Sequence, residues 1–193
     1  MPVKAIAISG SPRAEGNTQI LLKRCLDRFK TAGFETSYRS VGTELVKPCI
    51  ACGKCGQMKN RTCAIRDDAF HSIFDEMLDS AIIVVGSPVY FGSATPNLMA
   101  LLDRAGYVSR ANGNLLSRKV GGPVVVARRA GHNFTFAQLV YWYMINDMVV
   151  PGSTYWNIAF GRTAGEVVHD EEGIKTIDRF AENLLWLAQK LHS

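Results

Sequence analysis

Long apolar stretches and dense basic runs are both missing from this sequence. The longest apolar runs, such as residues 81–85, are far too short to cross a bilayer, so we expect no membrane partner. The formal net charge is +5 at pH 7, but the Lys and Arg residues are scattered, which argues against nucleic acid as a partner. A modest positive field that attracts phosphorylated cofactors is the simpler interpretation. No targeting segment is visible, and we therefore expect a cytoplasmic protein.

The two best-known phosphate loops are also absent. There is no G-x-G-x-x-G dinucleotide fingerprint and no Gly-Lys-Ser/Thr of a nucleoside-triphosphate loop. The chain has no internal repeat, low-complexity tract or long linker, and its 193 residues predict a single domain over residues 1–193.

The segment over residues 3–18, VKAIAISGSPRAEGNT, predicts a buried strand, a flexible turn and a helix that starts near Asn17. Gly10 and Gly16 let the backbone approach a ligand, and Arg13 adds a positive charge. Hydroxyl and amide donors come from Ser9, Ser11, Asn17 and Thr18. Because the N-terminal N–H groups of a helix point at the same spot, this turn suits one terminal phosphate group. An ordinary strand-to-helix turn is the alternative.

Strand and helix patterns alternate along the chain. The sequence predicts strands over residues 3–9, 34–41, 81–86, 119–129 and 155–160, and helices over 17–33, 67–79, from Pro96, 135–148 and 170–191. This alternation predicts an α/β fold with a doubly wound, five-stranded parallel sheet. Ligands of such sheets bind outside the carboxyl ends of the strands, at the switch point of the strand order.

Two more loops are expected at that edge. The loop after the third strand offers flat apolar surface and hydrogen-bonding groups through Pro88, Val89, Tyr90, Phe91, Gly92 and Ser93. A planar ring system suits such a loop, although the two aromatic side chains could simply pack it. The loop over residues 128–133 follows the fourth strand and contains Gly131 and His132. One loop suited to a phosphate and one suited to a flat ring together match flavin mononucleotide (FMN).

Four of the five cysteines lie in a cysteine-rich loop over residues 47–66. They follow C-x2-C-x2-C-x7-C spacing as Cys49, Cys52, Cys55 and Cys63. Compact runs of this kind hold iron–sulfur clusters, whereas structural zinc more often uses two separated C-x2-C pairs. Free or reversibly oxidised thiols are the third interpretation. Cys25 falls on the apolar face of the first helix, and we expect it to be inert.

Several motifs together resemble one family. GSPR-x2-GNT, the cysteine run ahead of Asp-Asp, SPVYFG and the following Leu-Leu-Asp-Arg resemble the NADPH-dependent FMN reductase-like flavoproteins of flavodoxin-like fold, most of all their iron-sulfur flavoprotein branch. The resemblance implies non-covalent FMN, with the phosphate at the first loop and the isoalloxazine ring at the second. It also implies a [4Fe-4S] cluster on Cys49, Cys52, Cys55 and Cys63. The third loop departs from the Gly-rich form of many relatives, because Arg128, Arg129, His132 and Asn133 replace small residues. We still expect Gly131 and His132 of this loop to contact the cofactor, whereas Arg128 or Arg129 could instead meet a phosphate of a nicotinamide cofactor or an acidic substrate.

The resemblance therefore implies an FMN-dependent oxidoreductase or electron-transfer protein. The flavin would carry the chemistry, so no protein nucleophile or acid–base dyad is expected. NADPH, NADH or a redox protein would donate electrons, a small molecule or a protein would accept them, and a cluster would relay single electrons. The family also implies a homodimer or homotetramer. Three alternatives stay open: an NAD(P)H-dependent FMN or quinone reductase without a cluster, an electron carrier without turnover, and a zinc-binding interaction module without flavin.

Overall fold

The computed structural model describes residues 3–192, and one parallel sheet forms its centre. The strands are β1 (Lys4–Ser9), β2 (Glu35–Ser40), β3 (Ile82–Pro88), β4 (Val120–Ala127) and β5 (Ile158–Phe160). They pair in the order β2-β1-β3-β4-β5, and every pair is parallel. The predicted doubly wound five-stranded parallel sheet is confirmed.

The helices connect the strands across both faces of the sheet. They are α1 (Asn17–Thr31), α2 (Lys54–Met58), α3 (Phe70–Asp79), α4 (Pro96–Ala111), α5 (His132–Ile145) and α6 (Glu171–His192), with a 3₁₀ turn at Glu166–His169. The sequence had not predicted α2 or the 3₁₀ turn. Helix α5 starts at His132 instead of residue 135, because Gly131 turns the chain in the left-handed conformation (φ 86°) directly before it.

Strand β3 explains why helices cover both faces. Its side chains alternate: Ile82 and Val84 pack with α1 and α6, whereas Ile83 and Val85 pack with α3, α4 and α5. A continuous apolar run is expected for a strand that is buried on both sides. The connection from β1 leads outward to β2, and the chain then returns to place β3 on the other side of β1. The loops after β1 and β3 therefore flank a crevice at the switch point.

Across residues 3–192, the structure contains no helix long and apolar enough to cross a membrane.

Candidate functional site

A cavity of about 530 Å³ opens where the loops after β1, β3, β4 and β5 meet. This volume lies within the usual range for small-molecule sites. Its lining residues come from four separate connections and are Ser11, Arg13, Gly16, Asn17, Thr18, Pro88, Val89, Tyr90, Val126, Arg128, Gly161, Arg162, Thr163 and Ala164. The structure thus places most of the predicted phosphate-loop residues around one space, at the sheet edge where the sequence predicts a ligand.

The turn after β1 is held by its own side chains. Ser9 Oγ accepts a hydrogen bond from the Ser11 N–H, and Ser11 Oγ accepts one from the Arg13 N–H, each at 3.2 Å. Ser9 is fully buried and does not line the cavity. A Cβ on Gly10 would lie 2.4 Å from Thr95 Oγ1, so only glycine lets the turn pack this closely against the start of α4. Ser9 and Gly10 therefore shape the turn, and Ser11 lines the cavity.

The N-terminus of α1 faces the same cavity. Gly16 is the N-cap residue, no side chain caps the helix, and no acidic residue occupies its first turn. The first N–H groups of a helix have no partner within it, and the helix dipole places partial positive charge there. Gly16, Asn17 and Thr18 all line the cavity. This end of α1 is therefore suited to an anionic group such as a phosphate.

Asn17 ties the turn to a loop that the sequence analysis had missed. Its Nδ2 donates to Thr163 O at 2.8 Å, and its Oδ1 accepts from the Val167 N–H at 3.3 Å. A Cβ on Gly161 would lie 2.5 Å from Asn17 Nδ2. The Asn17 side chain thus positions the loop over residues 161–164. The available sequence signal was Gly161-Arg162-Thr163, which follows the last strand at the same sheet edge.

The electrostatics of the cavity favour an anion. Arg13, Arg128 and Arg162 line it, and no Asp or Glu of residues 3–192 is among the lining residues. None of these three arginines forms an ion pair within the part of the chain that the structure describes. The nearby Glu166 carboxylate accepts hydrogen bonds from the Thr163 and Arg162 N–H groups, which lower its pKa. That carboxylate is thus engaged in holding the loop.

The loop after β3 divides into a part that lines the cavity and a part that does not. Pro88, Val89 and Tyr90 line it. Tyr90 and Ser93 then exchange two backbone hydrogen bonds of 2.9 and 3.0 Å, which closes a tight turn with positive φ at Phe91 (52°) and Gly92 (82°). The turn leaves the Phe91 side chain fully exposed, and Ser93 Oγ donates to Gln138 Oε1 at 3.1 Å. Phe91, Gly92 and Ser93 therefore lie outside the cavity lining.

The loop after β4 contributes one lining residue, Arg128. The predicted ligands Gly131 and His132 do not line the cavity. A Cβ on Gly131 would lie 3.0 Å from Val89 Cγ1, so this glycine allows the second and third loops to pack together. The His132 ring meets the Phe160 ring edge-on, with a centroid distance of 5.2 Å. Both residues support the loops around the cavity.

The four clustered cysteines share a second cavity of about 260 Å³. Cys49, Cys52, Cys55 and Cys63 all line it, together with Arg104, Tyr107 and Val108 of α4. Ala51 (φ 51°) and Gly53 (φ 69°) adopt left-handed conformations, which wrap the chain around this space. Within residues 3–192, no three His, Cys, Asp or Glu side chains lie close enough together to form a site for one metal ion. The four thiols therefore share one space as neighbours along its wall.

The fifth cysteine is of a different kind. Cys25 lies on the buried side of α1 and is fully buried in the core, and burial raises the pKa of its thiol to about 12. Because the thiolate is the reactive form, this raised pKa keeps Cys25 as the less reactive thiol at neutral pH, and its burial agrees with the apolar face predicted for it.

Comparisons with known proteins place this geometry in a family. The sequence model of the family described as NADPH-dependent FMN reductase matches residues 3–163. An iron-sulfur flavoprotein from Methanocaldococcus jannaschii is 35% identical over 181 residues, which cover 90% of this chain and 91% of that protein. An iron-sulfur flavoprotein from Methanosarcina thermophila is 33% identical over 185 residues, covering 94% of this chain and 93% of that protein.

Solved structures support the fold. RosB, crystallised with 8-demethyl-8-formylriboflavin-5'-phosphate, matches with a TM-score of 0.77 at 18% identity, over 98% of this chain and 80% of its own. A flavodoxin, WrbA-like protein from Agrobacterium tumefaciens matches with a TM-score of 0.68 at 10% identity, over 97% and 98% of the two chains. The chain has a flavodoxin-like fold and belongs to the NADPH-dependent FMN reductase family.

Proposed function

We propose that this protein is an FMN-dependent oxidoreductase that can pass electrons from the flavin to a [4Fe-4S] cluster. The observation that carries the proposal is the cavity at the switch point of the sheet. It combines an uncapped helix N-terminus and three arginines that form no ion pair within residues 3–192 with the apolar wall of Pro88, Val89 and Tyr90. A single phosphate fits the first part and a flat ring fits the second, so the residues present fit FMN.

Bound FMN would supply hydride and electron transfer, while the chain binds and orients it. The N–H groups at the start of α1, the Ser11 hydroxyl and Arg13 would hold the phosphate. Pro88, Val89 and Tyr90 would contact the ring and exclude water from that side. Asn17 keeps the loop over residues 161–164 against the same cavity through its two hydrogen bonds. We assign no nucleophile or acid–base pair to the chain.

The electron donor in this proposal is NADPH or NADH. One phosphate next to the α1 N-terminus and Arg13 leaves Arg128 and Arg162 with positive charge for a second anionic ligand. A nicotinamide cofactor carries such phosphates, and its nicotinamide must lie against the flavin ring. A redox protein is the other donor, and the acceptor is a small molecule or a protein.

The geometry of the cysteine cavity favours a [4Fe-4S] cluster as its occupant and disfavours a single zinc ion. Zinc binds thiolates at about 2.3 Å from one centre, which requires four sulfurs that converge. In a [4Fe-4S] cluster each thiolate binds a different iron, so the sulfurs stand farther apart around a larger volume. All four thiols here line one space of about 260 Å³, which is far larger than a single ion requires. Helix α4 starts just after the loop that holds Tyr90 and reaches the cysteine cavity with Arg104, so one element joins the two sites.

The decisive experiment is the flavin, iron and sulfide content of protein purified without air. We expect about one FMN and about four iron and four sulfide per chain. Cys52→Ser should lose iron and sulfide and keep FMN, because Cys52 lines only the cysteine cavity. Cys25→Ala is the matched control, since the fifth cysteine lies in the core, and should keep all three components.

Each other result of the cofactor measurement would indicate one of the alternative functions. FMN without iron indicates a cluster-free reductase, and zinc without flavin indicates an interaction module. FMN and iron without steady-state oxidation of NADPH or NADH indicate an electron carrier that is served by a redox protein. Iron content that falls equally in Cys25→Ala and Cys52→Ser would contradict the assignment of the four clustered thiols.

A further inference from the structure

Arg104 is a buried charge that the flavin site does not use. It lies in the middle of α4 with its side chain 1% exposed, and it pairs with Asp68, whose side chain is 0% exposed. Taking two charges out of water is costly, and a buried ion pair often stabilises a fold no more than apolar residues would. The pair therefore calls for an explanation beyond stability.

The guanidinium joins the two ends of the cysteine-rich loop. Nη1 donates to Lys47 O at 3.1 Å and to Asp68 Oδ2, and Nη2 donates to Ile65 O at 3.0 Å. Lys47 precedes the first clustered cysteine and Ile65 follows the last. Asp68 reinforces this arrangement, because its carboxylate also accepts from the Lys47 N–H at 2.8 Å. Both entrance and exit of the loop are thus held by one side chain of α4.

Asp68 stays ionised in this setting. Burial acts to raise its pKa, but hydrogen bonds from Arg104 and from the Lys47 and Phe70 N–H groups outweigh burial and lower it. The carboxylate therefore keeps Nη1 occupied at neutral pH.

The third nitrogen of Arg104 is left without a partner. Nε is buried, and no hydrogen-bond acceptor for it exists among residues 3–192. One flat side of the guanidinium is covered by the Phe70 ring, whose centroid lies 4.1 Å from Cζ. Arg104 also lines the cavity of the four cysteines. A buried, charged N–H without an acceptor is destabilising, so an acceptor is expected in the neighbouring space.

We infer that Arg104 contacts the cofactor of the cysteine cavity, where its Nε–H donates a hydrogen bond to a sulfur of the bound cluster. This inference rests on the proposed [4Fe-4S] cluster. Reduction of a cluster adds one negative charge, and hydrogen bonds to its sulfurs and nearby charge set its potential. Arg104 therefore stabilises the reduced form of the cluster. The oxidised cluster then accepts electrons from the flavin more readily.

The test compares Arg104→Lys with Arg110→Lys, which changes an exposed arginine on the same helix. Lysine keeps a positive charge for Asp68 but has no Nε–H and cannot bridge to both loop ends. We expect Arg104→Lys to keep FMN and to lower the midpoint potential of the cluster, measured by spectroelectrochemical titration. If the equilibrium constant for one-electron reduction of the cluster falls tenfold, the midpoint potential falls by about 59 mV. Arg110→Lys should leave the potential unchanged.

A second variant keeps the test informative if Arg104→Lys fails to fold. Asp68→Leu combined with Arg104→Met replaces the ion pair by apolar residues of similar size, a change that buried pairs tolerate. It should retain FMN and show lower cluster occupancy, or a cluster of more negative potential. A wild-type potential and full iron content in both variants would overturn the inference and leave the proposed function standing. Wild-type protein with FMN but no iron would overturn the cluster, and the inference with it.

Discussion

The hydroxyl of Tyr143 lies between the central strand β3 and its neighbour β4. Residue Pro123 of β4 lies opposite Val85 of β3, and proline has no N–H to offer to the ladder. Tyr143 Oη accepts from the Val85 N–H at 3.0 Å and lies 2.9 Å from Gly122 O and 3.1 Å from Ile83 O, to which it can donate. Burial raises the pKa of Tyr143, so the hydroxyl keeps its proton. A side chain of α5 thus completes the hydrogen bonding of the core.

Tyr143→Phe tests this arrangement. The change keeps the ring and leaves buried backbone groups of β3 and β4 without a partner, which should lower the free energy of unfolding by about 1–3 kcal/mol. Urea denaturation of the FMN-free protein measures it. Tyr141→Phe is the matched control, because the Tyr141 side chain is exposed, and it should change stability by less than about 0.5 kcal/mol. Equal effects of the two substitutions would contradict the assigned role.

These single residues also show where sequence reasoning stops. In the run of Tyr141, Trp142 and Tyr143, the last two side chains pack into the core, whereas Tyr141 is 70% exposed. Arg104 could not be foreseen as buried, because its partner Asp68 is 36 residues away and belongs to another element. Periodicity identifies apolar faces of helices, but it carries no information on pairing between distant charges.

At the scale of elements, the first turn was predictable because its signals are local. An apolar strand, a Ser- and Gly-containing turn and a helix start follow one another within residues 3–18, and the structure forms β1 and α1 there. A strand over residues 155–160 was predicted and β5 forms its last three residues, but the loop over residues 161–164 was given no role in ligand binding. The direction of Phe91 was not predictable either, since it depends on two consecutive residues of positive φ.

The first turn makes a prediction about ligand preference. Arg13 lines the cavity beside the α1 N-terminus, so Arg13→Gln should weaken FMN binding about tenfold and leave the binding of riboflavin, which has no phosphate, unchanged. Arg129→Gln is the control, because Arg129 follows β4 without lining the cavity, and should alter neither affinity. Fluorescence titration of the flavin-free protein gives both constants. A loss of affinity that is equal for FMN and riboflavin would place the phosphate elsewhere.

At the scale of the whole molecule, α5 has apolar side chains on its outer side as well as on its buried side. Leu139, Trp142 and Tyr143 pack into the core, while the outward residues Phe134, Tyr141, Met144 and Ile145 are 78%, 70%, 63% and 59% exposed. A helix at a protein surface normally presents polar residues outward, and a cluster of exposed apolar side chains marks an interaction surface. We propose that a second copy of the chain covers this side of α5, in the homodimer or homotetramer that the family resemblance implies.

The prediction concerns assembly. Met144→Lys places a charge among the exposed apolar side chains at the C-terminal end of α5. Burying that charge against a second copy would be costly, so the protein should dissociate into smaller species. Gln189→Lys places the same charge on the exposed side of α6 and should leave the assembly intact. Sedimentation velocity of the FMN-loaded proteins distinguishes these results. Because Met144 does not line the flavin cavity, FMN content should be the same in both variants. If Met144→Lys sediments like the unchanged protein, the outer side of α5 is not the contact between copies.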